Sequence, residues 1–132
     1  MLGVSWGAIT VASIVAMGIG WVWYMPAVFG RTWMRLRGSA AQTNTSMSVS
    51  DLFVEFVSTF ITVFALNILI LAFGAFTVRG ALQLTLIVWL GFYVTALMSE
   101  VLWEKKPFGV FAINAAHRLL ALSVAALVLA LW

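Results

Sequence analysis

The stretch GVFAINAAHRLLALSVAALVLALW, residues 109–132, decides the fold. It is apolar for longer than the roughly 20 residues a helix needs to cross a hydrocarbon core of about 30 Å. Inside it sit Asn114, His117 and Arg118, and His117 is the only histidine of the chain. An arginine on a lipid-facing helix is costly, so another group must hold it. The same stretch therefore defines a membrane span and marks a candidate site within it.

The rest of the chain fits that setting. Its 132 residues are 64% hydrophobic and 8% charged, too little charge to clothe a soluble domain of this size. Three further runs, about residues 2–24, 52–77 and 81–103, are also long enough to span, and the last run extends over 108–132. The polar/apolar alternation of a barrel strand is missing, so helices are the only way to satisfy the backbone in lipid. The expected fold is all-α: a polytopic membrane protein of four transmembrane helices in one antiparallel bundle, a single domain over 1–132. The first run lacks a basic leader and is too long for a signal-peptide core, so it is expected to remain as an anchor.

Residues 26–37 read as a short amphipathic helix after the first span. Pro26 suits a first helical position, Phe29, Trp33 and Leu36 share one face, Arg31 and Arg35 another, and Gly38 is a plausible stop. Such a piece is expected to lie on an anionic leaflet. The polar stretch that follows contains a formal glycosylation acceptor at Asn44, with nothing to suggest its use, and Ser50 or Asp51 is expected to cap the second span. Val78-Arg79-Gly80 and residues 104–107 are read as tight links, which make consecutive helices antiparallel neighbours.

The net charge of +3 reflects topology rather than nucleic-acid binding. Arg31, Arg35, Arg37, Lys105 and Lys106 fall in the first and third links, against Arg79 on the other side. The positive-inside rule then places loops 25–51 and 104–107 in the cytoplasm and both termini outside. Trp23, Trp33 and Trp103 are expected at the cytoplasmic interface, Trp6 and Trp132 at the outer one.

Chemistry is sparse. There is no cysteine, no P-loop and no glycine-rich dinucleotide loop, and one histidine with four carboxylates does not make a metal cage. No metal, no cofactor and no enzymatic activity are expected. By helix rise, Arg118 lies roughly 13 Å into the membrane, Glu100 roughly 7 Å and Glu55 about 6 Å, all from the cytoplasmic side. Because Cβ bonds tilt toward a helix N-terminus, Arg118 and Glu100 lean toward each other. Glu100 is therefore expected as the principal partner of Arg118, with Glu55 second. His117 is expected to hydrogen-bond across helices, with proton relay or pigment and haem ligation as alternatives. Asn67, in mid-span, is expected to bond between helices.

Spacing gives an inward stripe on each span: Trp6, Thr10, Ser13, Met17, Gly20, Tyr24 on the first and Glu55, Thr59, Thr62, Leu66 on the second. The third has Trp89, Tyr93, Ala96, Glu100, Trp103, and the fourth Asn114, His117, Arg118, Ala121, Ala125. Together they suggest a bundle interior with a polar cytoplasmic pocket.

The segment WYMPAVFGRTWM, with Trp23, Tyr24, Pro26, Phe29, Gly30 and Trp33, is specific enough to compare. With Trp89-Leu90-Gly91-Phe92 and the run FAINAAH ending at His117, it resembles the small bacterial membrane proteins grouped as domain of unknown function 1761. The likeness covers essentially the whole chain. It implies four helices in a prokaryotic inner membrane and an architectural turn at Pro26–Trp33, and it brings no substrate or cofactor. The leading functional expectation is a non-enzymatic packing module, working as a homo-oligomer or as an accessory subunit of a larger membrane complex, with the lipid bilayer and another membrane protein as partners. The alternative is an oligomeric small-solute or ion transporter or channel using Glu55, Glu100, His117 and Arg118. A carrier that binds pigment through His117 ranks below both.

Overall fold

The computed structural model describes residues 3–37 and 48–132. Four helices are long and apolar enough to cross a membrane: Trp6–Trp23, Val49–Phe73, Val78–Trp103 and Phe108–Leu131. No strand occurs among the described residues. The all-α architecture read from the sequence is the one observed.

The first span, α1 (Trp6–Trp23), starts on Ser5, whose hydroxyl accepts from the Ala8 amide at 3.3 Å. Pro26 ends it, because a proline drives the preceding residue out of the helical region; Met25 is extended, with ψ 144°. The chain then re-enters a helix through a wide π turn, Pro26–Gly30, and continues as α2 (Arg31–Arg37). The helical span 26–37 was expected. What spacing did not reveal is that it folds back onto the bundle: Leu36 sits over Gly109, and the Trp33 ring meets Tyr24 edge-on at 5.4 Å. The expected stop at Gly38 and the acceptor Asn44 lie outside the described residues.

The second span, α3 (Val49–Phe73), begins earlier than expected. Its cap is Ser48, neither Ser50 nor Asp51. Asp51 serves instead as the reciprocal acceptor of a capping box, taking the Ser48 amide at 3.1 Å. Gly74, at φ 65°, closes the helix in the left-handed region, so this span ends well before residue 77. The link is Gly74–Thr77, and Val78-Arg79-Gly80 belongs to the first turn of α4 (Val78–Val88), capped by Thr77.

The third span is not uniformly α. After α4 it widens into a π segment, Trp89–Val94, then resumes as α5 (Thr95–Trp103). One extra residue in the turn advances the inward face by one position. Leu97, Met98 and Val101 are half-buried, whereas Ala96 and Trp103, expected on the inner stripe, are exposed. The last link turns through Lys105, at φ 58°, and α6 (Phe108–Leu131) follows.

α6 is the hub. It packs on α1, α3 and α4, and also touches α2, α5 and the second π segment. The expectation that chain neighbours are the packing neighbours fails for α3 and α4, which lack an extended contact despite their short link. The core explains the arrangement. Ala8, Ala12, Ala81, Ala125 and Ala126 are buried together with Ile9, Val63, Leu66, Ile70, Leu122 and Leu129. Small side chains let helix backbones approach where no hydrophobic force sorts helix from lipid. Gly7 lies beside the Trp132 ring, so the start of α1 and the end of α6 share one end of the bundle. Ser13 and Thr85, both fully buried, return their hydroxyls to Ile9 and Ala81 carbonyls and present no unpaired donor. On α1 the buried set is Ala8, Ile9, Ala12 and Ser13, so Trp6 and Thr10 leave the predicted stripe, and Thr10 bonds its own backbone at Trp6.

Candidate functional site

At the opposite end of the bundle from that alanine-rich core, the helices part. A cavity of about 1250 Å³ opens there, walled by α1, α3, α6, the Pro26–Met34 turn and Tyr93. Its polar lining comprises Glu55, Ser58, Thr59 and Thr62 from α3 with His117 and Arg118 from α6. Glu55, Thr59 and Thr62 of the α3 stripe and His117, Arg118, Ala121 and Ala125 of the α6 stripe line it together, whereas Leu66 and Asn114 of those stripes do not. Met17, Trp21, Met25 and Met34 give the same cavity an apolar, deformable wall.

The wall beside His117 is built from two sequence motifs ninety positions apart. The Tyr24 hydroxyl donates to Asn114 Oδ1 at 2.5 Å, and the Trp23 indole donates to the Ile113 carbonyl at 3.2 Å. From the third span the Trp89 indole donates to the Ala115 carbonyl at 2.7 Å. Three aromatic residues thus satisfy polar groups on one turn of α6. The His117 ring is then boxed: Tyr24 stands edge-on at 5.1 Å and Trp23 tilted at 6.3 Å. Trp23 in turn carries Phe29 at 4.4 Å. Trp23 is therefore engaged with α6 and Phe29, while Trp103 is 84% exposed.

Gly30 is what allows the turn to close. A Cβ at that position would overlap the Tyr24 carbonyl oxygen and come within 2.8 Å of the Met25 carbonyl carbon. Gly20 does the same for the histidine, since its own Cβ would sit 3.2 Å from His117 Nε2. That nitrogen is buried and has no hydrogen-bond partner among the described residues, so the expected cross-helix bond of His117 is not made at this atom. Asn67 Oδ1, deep in α3, is likewise unpaired, contrary to the interhelical bond expected of it.

The expected Arg118–Glu100 pair is not formed. Glu100 Oε2 lies 3.2 Å from Lys106 Nζ, the one ion pair among the described residues. Two features account for this. The π segment shifts the register of the third span, and the tight link folds Lys106 back over the end of α5, with its amide reaching the Glu100 carbonyl. Arg118 turns instead into the cavity, its guanidinium carbon 5.9 Å from the centre of the Tyr93 ring. Glu55 lines the same cavity without lying in ion-pair range of Arg118. No grouping of histidine and carboxylates able to hold a metal occurs among the described residues.

Four helices long and apolar enough to cross a membrane, with a cavity of mixed polar and apolar lining among them, are compatible with a multi-pass membrane protein. The chain belongs to the family described as Protein of unknown function (DUF1761), whose model matches residues 7–130, nearly its full length. No curated protein and no solved structure matches it.

Proposed function

We propose that this protein is a non-enzymatic binding or transport module of the bacterial inner membrane, which admits a small molecule into the cavity between α1, α3 and α6. Both termini face outward in this reading, and the basic links 25–51 and 104–107 face the cytoplasm. One observation carries it: Arg118, expected to pair with Glu100, instead lines a cavity of about 1250 Å³ together with Glu55, Ser58, Thr59 and Thr62 of α3. Pairing for tolerance alone would place a carboxylate on the arginine, and none is in reach among the described residues. The geometry thus favours the solute-handling expectation over a packing module.

The chain contains no cysteine, so single cysteines can be placed freely. Ser58→Cys and Thr62→Cys, on the cavity wall, are expected to react in membranes with a charged, water-soluble methanethiosulfonate. Val57→Cys, at the same depth but off the cavity, is expected to stay unlabelled. Equal protection of all three would mean a dry cleft and would end the proposal.

A second reading keeps assembly with another membrane protein. Only 11% of the third span's apolar stretch is buried within the chain, against 39% for the fourth. A face so little used internally suits a second copy or a partner subunit.

A further inference from the structure

We infer that the cavity takes an amphiphile with an anionic head, a phosphate or a carboxylate, whose charge is received by Arg118. The inference rests on the cavity reading above and gives it a ligand class.

Start from the charge. Arg118 is ten residues into α6 from Phe108, about 15 Å along the helix. At that depth a guanidinium is stable only with a counter-charge, with water, or by reaching an interface. The carboxylate nearest by sequence reasoning, Glu100, is committed to Lys106. The guanidinium lies over the Tyr93 face, and a cation–π contact leaves the N–H donors unused. Those donors form a planar fork that matches carboxylate and phosphate oxygens bidentately.

A second polar group points the same way. His117, only 8% exposed, lines the cavity one residue before Arg118, and its Nε2 has no hydrogen-bond partner among the described residues. A buried unpaired nitrogen costs free energy unless something bonds it. Gly20 packs close against that atom, where a Cβ would come to 3.2 Å, so the ring lies directly behind the α1 side of the cavity.

The remaining wall selects the body of the ligand. Met17, Met25, Met34 and Trp21 form an apolar, adaptable surface that a bare inorganic anion would not use. Glu55 also lines the cavity, and its charge opposes an anion. Removing it therefore strengthens anion binding, whereas a cationic ligand would lose affinity.

The test uses the full chain in nonionic micelles, titrated by calorimetry with dodecyl phosphate, inorganic phosphate and dodecyltrimethylammonium, with empty micelles as blank. Dodecyl phosphate is expected to bind saturably. Arg118→Gln should weaken it at least tenfold and Arg118→Lys by a smaller factor, while Glu55→Gln should bind as tightly as wild type or tighter. Saturable, Arg118-dependent binding of inorganic phosphate as well would identify a soluble anion as the source of the head group; binding of the alkyl form alone would identify a lipid or fatty amphiphile. If Arg118→Gln loses its helical signal, Arg118→Lys and Glu55→Gln decide. Undiminished affinity in the arginine variants, no saturable binding of either phosphate, or tighter binding of the ammonium amphiphile overturns the inference. If the cavity cysteines label while no anion binds, this inference falls and the cavity reading stands; if they do not label, both fall.

Discussion

At the scale of single residues, two polar contacts that look alike on paper differ in consequence. The Tyr24–Asn114 bond joins α1 to α6 next to His117 and is partly buried. Tyr24→Phe removes the donor and leaves the Asn114 oxygen unpaired, which should cost about 1 kcal/mol of stability in a denaturant titration. The Glu100–Lys106 pair sits at the end of a span with both side chains more than a third exposed, 37% and 38%. Glu100→Gln should therefore cost less than about 1 kcal/mol and leave any Arg118-dependent binding intact. Had Glu100 been the counter-ion of Arg118, the same change would have left that arginine without its carboxylate within an apolar span and cost more. The helix that carries each residue was legible for both. Their partners were not, because a pair depends on azimuth around the helix, and one extra residue in a π turn changes that by most of a right angle.

Elements show the same division. Pro26 announces the end of α1, and the capping chemistry of Ser48, Thr77 and Gly74 sets the other boundaries, although sequence inspection chose neighbouring residues for the second and third spans. The turn Pro26–Gly30 is the element on which the site depends, since it brings Trp33 and α2 back over Tyr24 and the start of α6. Gly30→Ala places a Cβ against backbone rather than against a movable side-chain tip. It should destabilise the fold by about 1–3 kcal/mol, as overpacking does, and should loosen the aromatic box of His117. A thermal melt and the near-ultraviolet circular dichroism of Trp23, Tyr24 and Trp33 would register both. Gly91, in the other π segment, has open space where its Cβ would be and offers a matched control.

For the whole molecule, the bundle is tight at one end and open at the other. Alanines and glycine close the end that holds the start of α1 and the end of α6, whereas hydroxyl and charged residues on α3 and α6 line the open one. The third span is the least buried. If that face meets a second copy, light scattering of the detergent complex will give a protein mass that is a multiple of 14.4 kDa, and a single-chain mass will remove the homo-oligomer. What the sequence by itself determined is the set of properties that depend on composition and local order: an all-helical fold, four helices long and apolar enough to span, and the position of each polar residue along its helix. Length of apolar run and the obligation to satisfy every backbone group in lipid leave no other choice. The motif around Trp23–Trp33 also pointed to the family from sequence alone. Only the tertiary structure decided which polar groups meet. Helix α6 became the hub, Lys106 took Glu100, Trp23 and Tyr24 took the polar groups of one turn of α6, and Arg118 was left facing a cavity. Pairing between helices depends on rotation and on which helices are adjacent. Neither follows from spacing once π turns alter the periodicity and small residues decide which backbones approach.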